Sequence, residues 1–213
     1  NILEVNRAVL REVEALQGTL PDDIVVGPSI DFSKFVEESM IEVAKVLIES
    51  LILVPIVIFA FVGSVRATII PAVTIPVAII SAFIAMAALD YTINTLTLLG
   101  LVLAIGLVVD DAIVVLENIV RQMELGKTPL LAAVDGSREI GFAVVATTIV
   151  LVAVFVPISF MPGNLGRLFG EFGLSLAAAI AFSGLVALTL VPMLTSKFFA
   201  NGIHRGRLAT RLD

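Results

Sequence analysis

The sequence predicts an all-α membrane protein, a bundle of five transmembrane helices preceded by the end of an α+β extramembrane portion. Three observations lead there. Five apolar runs of about 20 residues, the length that crosses a bilayer, are separated by charged or turn-forming breaks. Of the 213 residues, 59% are hydrophobic and the mean hydropathy is +1.10, more than a soluble domain shows. Lys and Arg gather in the breaks on one side of these runs, the asymmetry that orients membrane helices.

In chain order, Ile2, Val5, Val9, Val13 and Leu16 recur at helical spacing opposite Glu4, Arg7, Arg11, Glu12 and Glu14, and Gly18 can end that helix. Leu20 to Asp23 is turn chemistry, Ile24, Val25 and Val26 read as a short strand, and Gly27 with Pro28 makes another turn. One helix and one strand cannot bury a core alone. Residues 1–30 therefore read as the last α–β portion of a larger domain, and the chain as an internal portion of something longer. From Asp31 or Ser33, either of which can cap, an amphipathic connecting helix is expected over 31–45, with Phe32, Val36, Met40 and Val43 on one face and Lys34, Glu38, Glu42 and Lys45 on the other.

The spans are expected at about 46–62, 67–89, 95–120, 142–160 and 172–194. Gly63 to Arg66 and Asp90 to Asn94 are the tight links between the first three. Residues 122–141 are charged and amphipathic and read as a surface helix, 161–170 as a Pro/Gly loop, and 195–213 as a tail. Pro55, Pro71, Pro76, Pro157 and Pro192 are read as fixed kinks rather than hinges. Arg66, Arg121, Lys127, Arg138, Lys197, Arg205, Arg207 and Arg211 collect on one side and only Arg167 on the other. The first side is then cytoplasmic, with residues 1–44 outside and the tail 195–213 inside.

Composition excludes several classes of function. There are no cysteines, hence no disulfide framework or thiol chemistry. The net charge is −6 and ten of the nineteen acids lie in the first 50 residues, which gives a nucleic-acid partner no support. His204 stands among Arg205 and Arg207 with no second ligand, so no metal site is expected.

The third span carries the chemistry, because it holds Asp110 and Asp111 inside an otherwise apolar run. A central Asp costs roughly 2.5–3.5 kcal/mol to insert and each Leu, Ile or Val returns about 0.3–0.6. The run from Leu96 to Leu116 is long enough to carry both. Residues seven apart differ by about 20° around a helix. Leu103, Asp110 and Glu117 thus share one line, and Thr97, Gly100, Ala104, Asp111 and Asn118 the next. Intramembrane acids are functional by default, so the pair is the candidate proton-binding site. Thr97, Glu117 and Asn118 are candidates for relay or polar support, although Glu117 can instead neutralise Arg121 at i+4, and Thr97 and Asn118 can serve helix packing. Gly100, Ala104 and Gly106 would admit a neighbouring backbone.

These residues resemble the resistance-nodulation-division efflux transporters, and within them the hydrophobe/amphiphile multidrug branch of AcrB-like inner-membrane pumps. The resemblance rests on GLVVDDAIVVLEN (106–118), SVRATIIP (64–71), IPV (75–77), YTINTLT (91–97) and VFVPI (154–158), and runs from the end of the periplasmic porter region through family helices two to six. It implies that Asp110 and Asp111 bind protons and couple the proton-motive force to drug export, facing a lysine in the second half of the same chain. It further implies a homotrimer in the bacterial inner membrane, a periplasmic adaptor, an outer-membrane channel, amphiphilic drug substrates, and no cofactor beyond protons. The adjacent acid pair favours drugs over metal ions. Two other readings compete: a relative that moves lipids or assists protein export, and an intramembrane aspartyl protease. The protease would need a second Asp facing the pair from another helix, for which Asp90 is the candidate.

Overall fold

The computed structural model describes residues 2–21, 24–27 and 32–200. It consists of α1 (Ile2–Gln17), α2 (Phe32–Val62), α3 (Val65–Ala88), α4 (Thr95–Glu124), α5 (Pro129–Phe155), a 3-10 segment (Val156–Phe160) and α6 (Gly163–Phe198). Helices α2 to α6 contain five stretches long and apolar enough to cross a membrane. The five-helix expectation is met.

The links follow from local chemistry. Helix α3 ends in a Schellman turn: Asp90, in the left-handed region at φ 54°, donates its N–H to the Ala87 carbonyl at 3.3 Å, and Tyr91 donates to Met86 at 2.9 Å. Helix α4 then starts on a capping box. The Asn94 side chain accepts from the N–H groups of Leu96 and Thr97 at 3.0 Å each, and the Thr97 hydroxyl accepts from the Asn94 N–H at 2.9 Å. Gly126, at φ 93°, closes the other end of α4, and Pro129 stands where the first N–H of α5 has no helical partner anyway.

Three details depart from the sequence reading. Ile24 to Val26 form no strand; the Ile24 N–H donates to the Pro21 carbonyl at 3.0 Å, and the Gln17 side chain donates to the Ile24 carbonyl at 2.6 Å and accepts from the Val26 N–H at 2.8 Å. No strand occurs among the described residues. The connecting helix does run into the first span, one continuous helix from Phe32, because no breaker separates them. The expected surface helix 122–141 is divided: its first residues finish α4, Leu125 to Thr128 turn, and the remainder is the first half of α5, since Gly141 alone does not stop a helix. The 161–170 loop shrinks to Met161 and Pro162, after which α6 begins. Helices run through Pro55, Pro71, Pro76 and Pro192, whereas α5 stops just before Pro157. Asp22, Asp23, Pro28, Asp31, His204, Arg205, Arg207 and Arg211 lie outside the described residues.

Burial sorts the spans into an inner and an outer set. The apolar windows of α3, α4 and α6 are 44%, 50% and 56% buried inside the bundle, those of α2 and α5 only 6%. Helix α6 touches α3, α4 and α5, and α4 touches α2, α3, α5 and α6. Small side chains let them close: Ala78, Ala82, Ala104 and Ala179 are all essentially inaccessible and pack with Leu101, Leu176 and Ile180. The outer helices offer Ile52, Leu53, Ile56, Phe142, Ile149 and Val150 to their surroundings, the surface a bilayer would solvate.

Candidate functional site

The helical period places the two acids differently. Leu99, Leu103, Gly106, Asp110, Val114 and Glu117 form one exposed stripe along α4, while Ala104, Val108, Ala112, Val115 and Asn118 are buried. Asp110 stands on the open stripe and Asp111, one position on, is half-buried toward α6.

At that depth α6 presents Ser183, 2% exposed, whose hydroxyl donates to the Val108 carbonyl at 3.1 Å and so ties α6 to the turn of α4 that carries the acids. Asp110 and the Ser183 hydroxyl are the electrostatic neighbours of Asp111. Lys45, Arg121 and Lys127 pair with Glu42, Glu139 and Asp135. Among the described residues no basic side chain pairs with Asp110 or Asp111.

Farther along α4 the polar groups have different tasks. Asn118 donates to the Gly136 carbonyl at 2.8 Å and to Glu139 at 3.2 Å, and its carbonyl oxygen accepts from Arg121 at 2.8 and 3.1 Å. Arg121 and Gln122 each donate to Glu139 at 2.6 Å. Arg121 thus turns to α5, not to Glu117 as the i+4 spacing allowed. Glu117 lines a crevice of about 530 Å³ with Val114, Asn118, Val120, Arg121, Glu124 and Ile140.

Thr97 sits in the capping box, fully buried, at the far end of α4 from the acids. Gly100 does admit a neighbour: a Cβ there would stand 3.2 Å from the Phe172 ring of α6. Ala104 is 1% exposed in the α3/α4/α6 core. Gly106 lies on the open stripe, with nothing among the described residues within 4 Å of the place its Cβ would take.

Ser183, Gln122, Gly136 and Glu139 were not singled out from the sequence. Ser183 is a lone hydroxyl in an apolar run, and Glu139 looks like any acid on a solvated helix; only the contacts distinguish them. Spacing gives one retrospective hint, since Gly136 and Glu139 are i,i+3 and share a face. Among the described residues there is no group of three or more His, Asp or Glu able to hold a metal. Asp90 lies in the turn before α4, about 22 Å along the helix axis from the pair, and cannot face it as the protease reading requires.

Residues 1–211 match the family described as AcrB/AcrD/AcrF. An uncharacterized transporter of Haemophilus influenzae is 45% identical over 213 residues, all of this chain and 21% of that protein. The multidrug resistance protein MdtC of Escherichia coli is 46% identical over 194 residues, 91% of this chain and 19% of its own length. The chain therefore spans about a fifth of the curated relatives it matches, and these are transporters, not enzymes.

Proposed function

The chain belongs to the AcrB/AcrD/AcrF family of resistance-nodulation-division transporters, and on that premise we propose that it is the proton-coupling part of a drug/proton antiporter of the bacterial inner membrane. One observation carries this reading. Two adjacent carboxylates sit in the middle of an apolar helix with no cation beside them among the described residues, while Glu139 of the neighbouring helix α5 is met by three donors from α4. Unpaired acids at such a depth are expensive to keep, and a reversible proton is the simplest ligand they can take.

The remainder of a full-length pump supplies a lysine to the open stripe of α4, opposite Asp110. With the acids ionised, the ammonium is held by two negative charges; adding a proton weakens that hold and shifts the helix to a second position. Neighbouring carboxylates in a low dielectric titrate as a coupled unit, so the proton belongs to the pair and not to either acid alone. Asp111, seated against α6 by Ser183, senses the movement, and Asp110 faces the cation. The Arg66, Arg121 and Lys127 end lies in the cytoplasm and residues 1–44 in the periplasm. The pump works as a homotrimer with an adaptor and an outer-membrane channel, and exports amphiphilic drugs. The likeness to MdtC, a multidrug resistance protein, favours drugs over lipids or exported proteins.

The experiment is gradient-driven dye export by the full-length protein in liposomes, with Asp110→Asn and Asp111→Asn made singly. The amide keeps the shape and removes the titration. Export falls to background in both, with amount and assembly unchanged. Export at the parental rate in either variant would show that this Asp does not carry the proton.

A further inference from the structure

The Arg121 end of α4 is joined to α5 by several polar contacts that converge on one residue. One carboxylate, Glu139, accepts from three different side chains of α4: Arg121 at 2.6 Å, Gln122 at 2.6 Å and Asn118 at 3.2 Å. Asn118 also donates to the Gly136 backbone at 2.8 Å. At Gly136 the helices touch backbone to backbone, for a Cβ there would stand 2.9 Å from the Ile119 Cα. Lys127 and Asp135, 2.6 Å apart, brace the turn between the two helices. The α4 members of this contact, Asn118 to Gln122, lie seven to eleven residues beyond Asp111, on the opposite side of it from Gly100 and the capping box. Nearer the acids α4 is held by α6, through Ser183 and the Ala104 layer, and α5 itself meets α6 where Gly184 receives the Thr148 side chain.

From this arrangement we propose that Glu139 is a positioning residue for proton coupling: it joins the Arg121 end of α4 to α5 so that the two move as one body, and thereby sets where the Asp110–Asp111 turn stands when it binds or releases a proton. The inference rests on the proton-coupling reading of the pair. The three donors come from consecutive turns of α4, so they fix its rotation about its own axis as well as its distance from α5. A single exposed ion pair would do neither, being weak and tolerant of sliding. Rotation is what decides which of two adjacent side chains faces the open stripe.

The test uses the full-length protein in liposomes and compares Glu139→Gln, Arg121→Glu, the exchange R121E/E139R, and Asp110→Asn as reference. Glu139→Gln keeps the length of the side chain and an acceptor oxygen but loses the charge that gathers the donors. The expected result is a several-fold lower maximal export rate at an unchanged half-saturating dye concentration, with normal amount and assembly, and a larger loss for Arg121→Glu that the exchange largely restores. Should Glu139→Gln fail to assemble, Gln122→Leu removes one donor and leaves the ion pair, and a smaller loss of maximal rate is expected from it. Parental kinetics in the variant that assembles, or no recovery in the exchange, would overturn the proposal. If Asp110→Asn also exports normally, the proton-coupling reading has failed; if only the Glu139 variants do, this inference alone has failed.

Discussion

Two carboxylate sites served by one helix differ in almost every respect. Glu139 is drawn into a cluster with Asn118, Arg121 and Gln122, its charge matched by a guanidinium 2.6 Å away. Asp110 and Asp111 have each other, one hydroxyl nearby, and no cation among the described residues. Hydrogen bonds to a charged group are stronger than those between neutral groups, and solvent at the half-exposed Glu139 screens part of that gain. The first arrangement holds helices together. The second sets two carboxylates in an apolar run with no matching charge among the described residues, which costs free energy on insertion.

The largest effect that would sharpen this contrast is on transport. Asp110→Asn and Asp111→Asn should abolish gradient-driven export while leaving the thermal midpoint of the detergent-solubilised full-length protein unchanged or higher, because an amide is less costly in an apolar helix than an unpaired carboxylate. A lowered midpoint would mean the pair holds structure after all. Next comes Gly136→Val. Its branched side chain would meet the Ile119 backbone, and overpacking of this kind costs about 1–3 kcal/mol, read as a lower unfolding midpoint in denaturant titration. Asn94→Ala removes the acceptor of the α4 capping box and should cost about 1 kcal/mol, measurable by the same titration. Smallest is Ser183→Ala. It deletes one interhelical hydrogen bond, worth about 0.6 kcal/mol on average within membranes, so stability should hardly change; a loss of several times that size would make the α4–α6 tie as important as the Glu139 cluster.

The helices were legible in the sequence because apolar runs of spanning length leave little choice, and the acid pair because two Asp in such a run stand out against its composition. The stripes were legible too: the periodicity that put Leu103, Asp110 and Glu117 on one line and Ala104, Asp111 and Asn118 on the next is the division into exposed and inward-facing residues that α4 shows. What failed were features that depend on a neighbour. Ile24 to Val26 have the composition of a strand, but a strand needs a partner, and here the Gln17 side chain answers their backbone. Gly100 and Gly106 read alike in the sequence, and only the neighbours separate them: the Phe172 ring stands against Gly100, while Gly106 faces the open stripe. Residues 122–141 read as one polar helix since their charges appear solvated in one dimension, whereas Arg121, Lys127, Asp135 and Glu139 are spent on one another across a turn. Ser183 has no sequence context that marks it, and its partner is a backbone carbonyl 75 residues away.

Drug-dependent proton flux tests the central claim most directly. Full-length protein in liposomes carrying a pH gradient and a pH-sensitive dye would be given an exported amphiphile, and the collapse of the gradient followed for the parent and for D110N/D111N, with amphiphile binding measured alongside. A collapse in the parent, and none in the double variant although it still binds the amphiphile, is the predicted result. Undiminished proton flux in the double variant would contradict it and place the proton carrier outside this helix.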